Sequence, residues 1–177
     1  MLDAPISGGI TGAEAGTLAI MVGGSEELFN DVHEIFEAMG NKIQHVGPLG
    51  SGDVMKVLNN FISGCTMAAT TEAVAMGVKA GLDPRLIISV LSGSTGKSDA
   101  SERKYPKFVF ENKPANFTID LLCKDIATYL KVAQSLNVPT NISSEVYNMW
   151  EITRREGGKD ITDIVGLYER WLGIDVH

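Results

Sequence analysis

The chain has 177 residues, of which 44% are hydrophobic and 21% charged, with a formal net charge of -7. This composition is typical of a globular protein with one domain, or one and a part. The 22 acidic residues outnumber the 15 basic ones and no Lys/Arg-rich run occurs, so nucleic acid is not an expected partner. The apolar runs fall short of the roughly 20 residues that span a bilayer, and residues 1–9 have no signal-peptide pattern. We therefore expect no membrane association and a cytoplasmic location.

Residues 1–48 have a strand, helix, strand pattern. Runs rich in β-formers at residues 17–22 and 42–46 flank one amphipathic helix, which has Ser25 as its N-cap and Gly40 as its stop. The apolar residues that give this helix its periodicity are Leu28, Val32, Ile35, Phe36 and Met39. Residues 3–7 are predicted to form a further strand. So small a sheet has little cover, and the pattern predicts part of a larger α/β layer.

Residues 49–177 are predicted to be entirely helical. The first helix is long and rich in small residues, which favours close packing at the centre of the fold. The next helix begins at Asp83-Pro84, where Asp83 is the N-cap and Pro84 lies in the first turn. We predict that this second helix faces the core with Leu86, Ile87, Val90 and Leu91. In all, six helices are predicted, at residues 51–80, from 84 onward, and at 101–110, 118–136, 142–156 and 160–172.

The cysteines and histidines show no metal-ligand or catalytic spacing. Cys65 and Cys123 lie in helical apolar patterns and are predicted to be reduced core residues. The three histidines are far apart in the sequence, and each is expected to be a satisfied or solvated side chain. We therefore predict that the chain has no metal site.

The segment from Asp3 to Gly9 reads Asp-Ala-Pro-Ile-Ser-Gly-Gly. It delivers the Ser7 hydroxyl and two residues without side chains, Gly8 and Gly9, to the expected end of a strand. Backbone N–H groups exposed there can hold a carboxylate. A plain Gly-Gly turn explains the same residues.

A second segment, residues 47–60, is a glycine-rich entry to a helix followed by Lys56 and Asn60. This i, i+4 pair shares one helix face. Apolar neighbours are expected to bury part of the Lys56 stem, and desolvation lowers the pKa of a lysine toward a range useful for acid-base chemistry. The alternative is a lysine that snorkels from an apolar helix.

The third segment contains Lys124-Asp125, a weak signal by itself. In order and spacing, however, the three segments together resemble the β-hydroxyacid dehydrogenase family, which includes 3-hydroxyisobutyrate dehydrogenase and tartronate semialdehyde reductase. Residues 3–9 are similar to the family's substrate-binding segment, with Ile6 in place of the usual valine. Residues 50–60 match its Gly-x-Gly-x-x-x-Lys-x-x-Asn-Asn motif, and residues 117–125 its Phe-x-x-x-Leu-x-x-Lys-Asp segment.

The resemblance implies a role for each matching residue in an NAD- or NADP-dependent oxidoreductase. Lys56 would be the catalytic acid-base, and Lys124 would lie near the nicotinamide. The residues implied to bind a small carboxylate substrate are Ser7, Gly8, Gly9 and Asn60. Phe117 and Asp125 would support the site, and residues 94–97 look like a loop that tunes specificity.

One departure from the family is large. Its members begin with a Rossmann unit carrying Gly-x-Gly-x-x-Gly, whereas Gly8-Gly9-x-x-Gly12 follows the wrong element here. We expect the chain to be the C-terminal part of a dehydrogenase of about 300 residues. Residues 1–48 would be a remnant of the dinucleotide-binding domain, and residues 49–177 the helical catalytic and dimerisation domain. The choice between NAD and NADP stays open, and the isolated chain is expected to be inactive.

A second hypothesis comes from a different class: a catalytically silent dimerisation module of a larger or truncated protein, in which the helix at residues 51–80 packs against a partner copy. The exposed sheet edge and apolar face of residues 1–48 have to be covered, because such surfaces are rarely left open. Under both hypotheses we expect a homo-oligomer, either a dimer or a tetramer.

Overall fold

The computed structural model describes all residues, Met1–His177, as two compact units, residues 1–60 and 61–177. The elements of the first unit are β1 (Ile6–Ser7), α1 (Gly9–Glu14), β2 (Leu18–Gly23), α2 (Glu26–Asp31), α3 (His33–Glu37), β3 (Gly40–Gly47) and the start of α4 (Ser51–Lys79). The second unit contains the rest of α4, then α5 (Pro84–Ser92), a π-helix (Ala100–Val109), α6 (Ile119–Ser135), α7 (Asn141–Arg155) and α8 (Asp163–Leu172). The prediction of a mainly helical protein, with six helices after a small α/β unit, is confirmed.

The sheet of the first unit has the order β1-β2-β3. β1 pairs antiparallel with β2, placing Ile6 opposite Ile20, while β2 and β3 run parallel. A parallel pair needs a crossover, and α2 and α3 supply it. Residues from the sheet and from this crossover form the core of the unit: Leu18, Ile20, Val22 and Phe36.

The crossover departs from the single predicted helix. It breaks at Val32, whose backbone has φ -114° and ψ 10°. The break follows Asn30-Asp31, residue types that compete with helix formation through their own side chains. Ile35 and Met39, predicted on the apolar face, are exposed. α1 was not predicted at all.

The second unit has a larger core of its own, to which each of its helices contributes buried apolar side chains and the chain end contributes Val176. Its largest fully buried side chains include Met67, Tyr105, Ile119, Leu122, Ile126, Trp150 and Ile164. Cys123 is buried and Cys65 half-buried, both as free thiols. By length and composition α4 is able to cross a membrane, but half of its apolar window is buried in the fold, and core helices pass the same test.

α5 begins as predicted, with the Asp83 carboxylate accepting a hydrogen bond from the Leu86 backbone N–H at 2.9 Å. Its orientation is only partly as predicted: Ile87 and Leu91 pack against the core of the unit, but the other two predicted residues do not. Leu86 and Val90 are 58% and 57% exposed, and Ile88 is the residue buried at 3%. Because α5 carries apolar residues on more than one face, periodicity alone did not identify the face that packs.

The predicted helix at residues 101–110 is a π-helix. It contains Pro106, which lacks a backbone N–H, and the Phe110 N–H bonds five residues back to the Tyr105 carbonyl. The helix buries Lys104, whose ammonium donates to Ser63 Oγ at 2.7 Å and lies 3.4 Å from the Asp99 carboxylate. Desolvation lowers the pKa of Lys104, against the opposing effect of Asp99.

Candidate active site

The structure brings Lys56 to the segment that was predicted to bind a carboxylate. The Lys56 ammonium donates a hydrogen bond to the Ile6 carbonyl, with an Nζ–O distance of 2.7 Å. Ile6 directly precedes Ser7, and the two bonded residues are 50 positions apart in the chain. Two of the motifs found in the sequence therefore meet within the first unit.

Gly8 and Gly9 form the turn from β1 into α1. Their φ angles are 136° and 63°, in the region that favours glycine. A Cβ at Gly9 would meet nothing within 4 Å, so this position needs glycine for its conformation and not for space. The Gly8 carbonyl accepts a hydrogen bond from the Gly12 N–H at 3.0 Å, which starts α1.

Asn60 lies one turn beyond Lys56 on α4 and is 4% exposed. Its Oδ1 accepts a hydrogen bond from Asn59 Nδ2 at 3.1 Å. Lys56 is half-buried, in keeping with a partly buried stem, although its apolar neighbours Met55 and Leu58 are 41% and 40% exposed. Lys56 and Asn60 thus belong to one helix face in the first unit.

Lys124 belongs to the second unit, on α6. Its side chain is 66% exposed, and its Nζ lies 2.9 Å from Oδ1 of Asp125. The sequence did not require these adjacent residues to pair, and the structure pairs them. Phe117, the first residue of the same motif, bonds through its backbone N–H to Asp160, a structural role. Residues 94–97 are exposed.

Sequence reasoning missed Asp3. Its carboxylate accepts hydrogen bonds from the Gly50 N–H at 2.6 Å and the Asp53 N–H at 2.8 Å, at the N-terminus of α4. Desolvation acts to raise the pKa of Asp3, but these backbone hydrogen bonds outweigh it and hold the pKa below its usual range. Asp3 and its partners Gly50 and Asp53 all lie in segments identified in the sequence, but nothing in the sequence showed that these segments bond to each other.

Gly52 explains part of the glycine-rich motif. A Cβ at this position would lie 2.7 Å from Asp3 Oδ2 and would overlap the Met21 carbonyl of β2. The absence of a side chain therefore lets the first turn of α4 approach the sheet and Asp3 closely.

One group of possible metal ligands was also not foreseen. Side-chain atoms of Glu169, Asp175 and His177 lie within 4.8 Å of one another. Glu169 Oε1 already pairs with His177 Nδ1 at 2.9 Å and accepts a hydrogen bond from the Val176 N–H at 2.9 Å. Hydrogen bonds to His177 and Val176 thus explain why Glu169 lies close to these side chains.

Comparison with known proteins decides the family. Residues 50–168 match the family model described as the NAD-binding domain of NADP-dependent 3-hydroxyisobutyrate dehydrogenase. Residues 1–47 match the NAD-binding domain of 6-phosphogluconate dehydrogenase. The chain belongs to the β-hydroxyacid dehydrogenase family. Both matched models describe NAD-binding domains, so the predicted NAD(P) dependence of the family is confirmed as well.

Individual relatives agree with this assignment. The chain is 38% identical to 2-(hydroxymethyl)glutarate dehydrogenase from Eubacterium barkeri, over 99% of this chain and 59% of that protein. It is also 38% identical to an NAD-dependent L-serine dehydrogenase from Pseudomonas aeruginosa, over 89% of this chain and 55% of that one. A 3-hydroxyisobutyrate dehydrogenase from Mycobacterium tuberculosis, solved with L-serine, superposes with a TM-score of 0.86 at 28% identity, covering 94% of this chain and 60% of the other. The chain therefore spans less than two thirds of the length of each.

The carboxyl end of β2 leaves no open space for a phosphate site of the Rossmann type. Such a site lies at the carboxyl end of a parallel strand. At that end of β2, a Cβ on Gly23 would overlap Asp3, and one on Gly24 would overlap Leu2. Protein atoms fill the position.

Proposed function

We propose that the protein interconverts a small β-hydroxy acid and its semialdehyde, or keto form, with NAD or NADP, and that Lys56 is the acid-base. The observation that carries the proposal is the 2.7 Å hydrogen bond from the Lys56 ammonium to the Ile6 carbonyl. It puts a proton-transfer group beside the Ser7-Gly8-Gly9 turn, whose backbone suits a carboxylate. We also propose that residues 1–48 serve the dinucleotide-binding domain and residues 49–177 catalysis and dimerisation.

The relatives' names support a narrower substrate class. 2-(Hydroxymethyl)glutarate, 3-hydroxyisobutyrate and L-serine all carry a hydroxymethyl group on the carbon next to a carboxylate. They differ only in the third substituent on that carbon. The shared carboxylate suits the backbone of Ser7–Gly9, and the shared hydroxyl suits a proton-transfer group at Lys56.

In the direction of oxidation, the neutral Lys56 amine takes the proton of the substrate hydroxyl. When bound, a nicotinamide would supply the acceptor for the hydride, which leaves the carbon that bears this hydroxyl. In reduction, the Lys56 ammonium returns the proton to the carbonyl oxygen. The Ile6 carbonyl holds the ammonium in place between these events, while Asn60 orients the substrate. Lys124 is assigned to the cofactor side by the family resemblance.

The proposal is tested by mixing the 177-residue chain with the separately produced dinucleotide-binding domain of the Eubacterium relative. NADH and NADPH binding is followed by fluorescence, and turnover by nicotinamide absorbance with the three hydroxy acids. We expect no turnover by the chain alone, because protein atoms fill the phosphate position at the end of β2, and turnover on mixing. Lys56→Ala should lower that turnover by about 100-fold or more.

The matched control is Lys131→Ala, which removes an exposed lysine of α6. Control turnover should equal that of the wild type. Turnover by Lys56→Ala at the control's rate would overturn the assignment of the acid-base. Tight dinucleotide binding by the chain alone would contradict our account of the cofactor site.

A catalytically silent assembly module is the second candidate. The observation that favours it is the group of exposed apolar side chains on α5 and just before it, where Leu82, Leu86 and Val90 are 54%, 58% and 57% exposed. Light scattering after size exclusion should then show a homo-oligomer, whereas a monomer at micromolar concentration would count against it. Lysine-dependent turnover in the mixing experiment would exclude the silent reading.

A further inference from the structure

We propose that Asp3 is the positioning residue for Lys56, acting through the first turn of α4. The inference rests on the proposed role of Lys56. In its two hydrogen bonds, the Asp3 side chain does not contact the Lys56 ammonium. Instead, its side chain bonds the backbone of Gly50 and Asp53 at the start of the helix that carries the lysine.

The backbone of Asp3 is fixed as firmly as its side chain. The Asp3 N–H donates to the Gly23 carbonyl at 3.0 Å, and the Gly23 N–H donates to the Asp3 carbonyl at 2.8 Å. Asp3 is thus paired with the end of β2 through its main chain and with α4 through its carboxylate.

Asp3 and Lys56 are connected by two routes, one through the chain to Ile6 and one through α4. From Asp3 the chain runs through Pro5, whose carbonyl accepts a hydrogen bond from the Met21 N–H at 3.1 Å, to the Ile6 carbonyl that accepts the Lys56 hydrogen bond. From Lys56, α4 leads back to the Asp53 N–H and so to the Asp3 carboxylate. Asp3 therefore helps to position both the Ile6 carbonyl and the helix turn that carries Lys56.

Helix geometry makes this connection stiff. Asp53 and Lys56 are three residues apart on α4, a rise of about 4.5 Å along the axis. A shift of the first turn by about 1 Å would carry the Lys56 ammonium with it and stretch the 2.7 Å contact beyond hydrogen-bond range. Gly52 permits the close approach, since any Cβ there would crowd the Asp3 carboxylate.

The charge of Asp3 suits the same task. A carboxylate at a helix N-terminus satisfies N–H groups that have no partner within the helix and is favoured by the helix dipole. Its pKa is held below the usual range, so the carboxylate is ionised wherever a lysine acts as an acid-base. Protonation of Asp3 does not interfere at such pH values.

The test measures the reactivity of Lys56 directly in the 177-residue chain. Limiting acylation with N-acetoxysuccinimide at mildly alkaline pH is quantified for each lysine by peptide mass spectrometry. In Asp3→Asn the Lys56 contact loosens, and its acylation should accelerate by about 2- to 12-fold, the protection that an ordinary hydrogen bond provides. Lys79 is the internal control, because its ammonium also donates to a backbone carbonyl, that of Leu172, at 2.6 Å.

Asp53→Asn is the matched control variant. It removes an equal charge from the same helix turn but keeps the Asp53 N–H that bonds to Asp3. Its Lys56 rate should match the wild type. Equal acceleration in both variants would show an effect of charge alone and would overturn the proposal. An unchanged Lys56 rate in folded Asp3→Asn would overturn it as well.

If Asp3→Asn does not fold, which uniform acceleration at every lysine would reveal, Asp3→Glu answers the same question. That variant keeps the charge and displaces it by one methylene. In Asp3→Glu the acylation of Lys56 should be faster and that of Lys79 unchanged. Equal acylation rates of Lys56 in Asp3→Glu and in the wild type would refute the proposal. Because turnover is never read, a failure of the proposed dehydrogenase activity and a failure of this inference are separate results.

Discussion

The buried thiol of Cys123 should make the protein less stable in alkali. Cys123 is 3% exposed on α6. Burial, reinforced by the neighbouring Glu151 carboxylate, raises the pKa of the thiol from 9.0 to about 12. In the unfolded chain the thiol ionises near its ordinary pKa. Between these two values the native state retains a proton that the unfolded state has lost, so the free energy of unfolding falls as the pH rises.

The size of the effect follows from the two pKa values. Below the unfolded pKa both states are protonated, and Cys123 contributes no pH dependence. At about pH 10.5 the unfolded thiol is ionised and the native one is not, a gap of about 1.5 pH units. At about 1.4 kcal/mol for each unit, the free energy of unfolding falls by about 2 kcal/mol through this group alone.

Urea unfolding of the wild type and Cys123→Ala measures this contribution, with reductant present and tryptophan fluorescence as the signal. At about pH 7.5 the variant should be less stable by about 1 kcal/mol, because it loses one buried heavy atom. At about pH 10.5 the difference should move by about 2 kcal/mol in favour of the variant. Cys65→Ala, at a half-buried thiol, is the control and should move less. A difference between wild type and Cys123→Ala that is equal at both pH values would refute the reasoning.

Three further predictions concern the second unit. Tyr105→Phe removes the hydrogen bond that its buried hydroxyl donates to Thr71 Oγ1 at 3.0 Å, and should lower the free energy of urea unfolding by about 1 kcal/mol; no change would show that the bond adds nothing. Lys104→Met removes a desolvated ammonium and should leave stability at neutral pH unchanged or higher, whereas a loss of about 3 kcal/mol would show that the pairing with Asp99 outweighs desolvation. Burial lowers the pKa of Lys104 in the native state, so between that lowered pKa and the ordinary value of 10.5 the unfolded wild type binds more protons than the native one. The free energy of unfolding of the wild type should therefore rise with pH in this range, relative to Lys104→Met. A relative fall would contradict the lowered pKa. Leu86→Glu should convert a homo-oligomer to a smaller species in light scattering, and an unchanged mass would place the interface elsewhere.

The local part of the fold followed from the sequence. Ser25, Asp83 and Thr118 were visible as helix starts, and each side chain accepts a hydrogen bond from a backbone N–H three residues on. These contacts involve neighbours in the chain, so residue type and spacing are sufficient to predict them.

The orientation of the elements did not follow in the same way. Leu86 and Val90 have the right spacing for a buried face but lie exposed. Lys104 is a charged residue in a short helix that the sequence would leave at the surface, and it is 2% exposed. Periodicity states which residues share a face, whereas burial depends on what packs against that face.

For the site, the sequence by itself determined the residue types, their order and the family that they resemble. Only the tertiary structure decided that Lys56 bonds to Ile6 and that Asp3 holds the start of α4, since these partners are 50 and 47 residues apart. No local rule relates residues so distant in the chain. They meet because the parallel pairing of β2 and β3 returns the chain to the edge of the sheet where α4 begins, and glycine at position 52 leaves room for that approach.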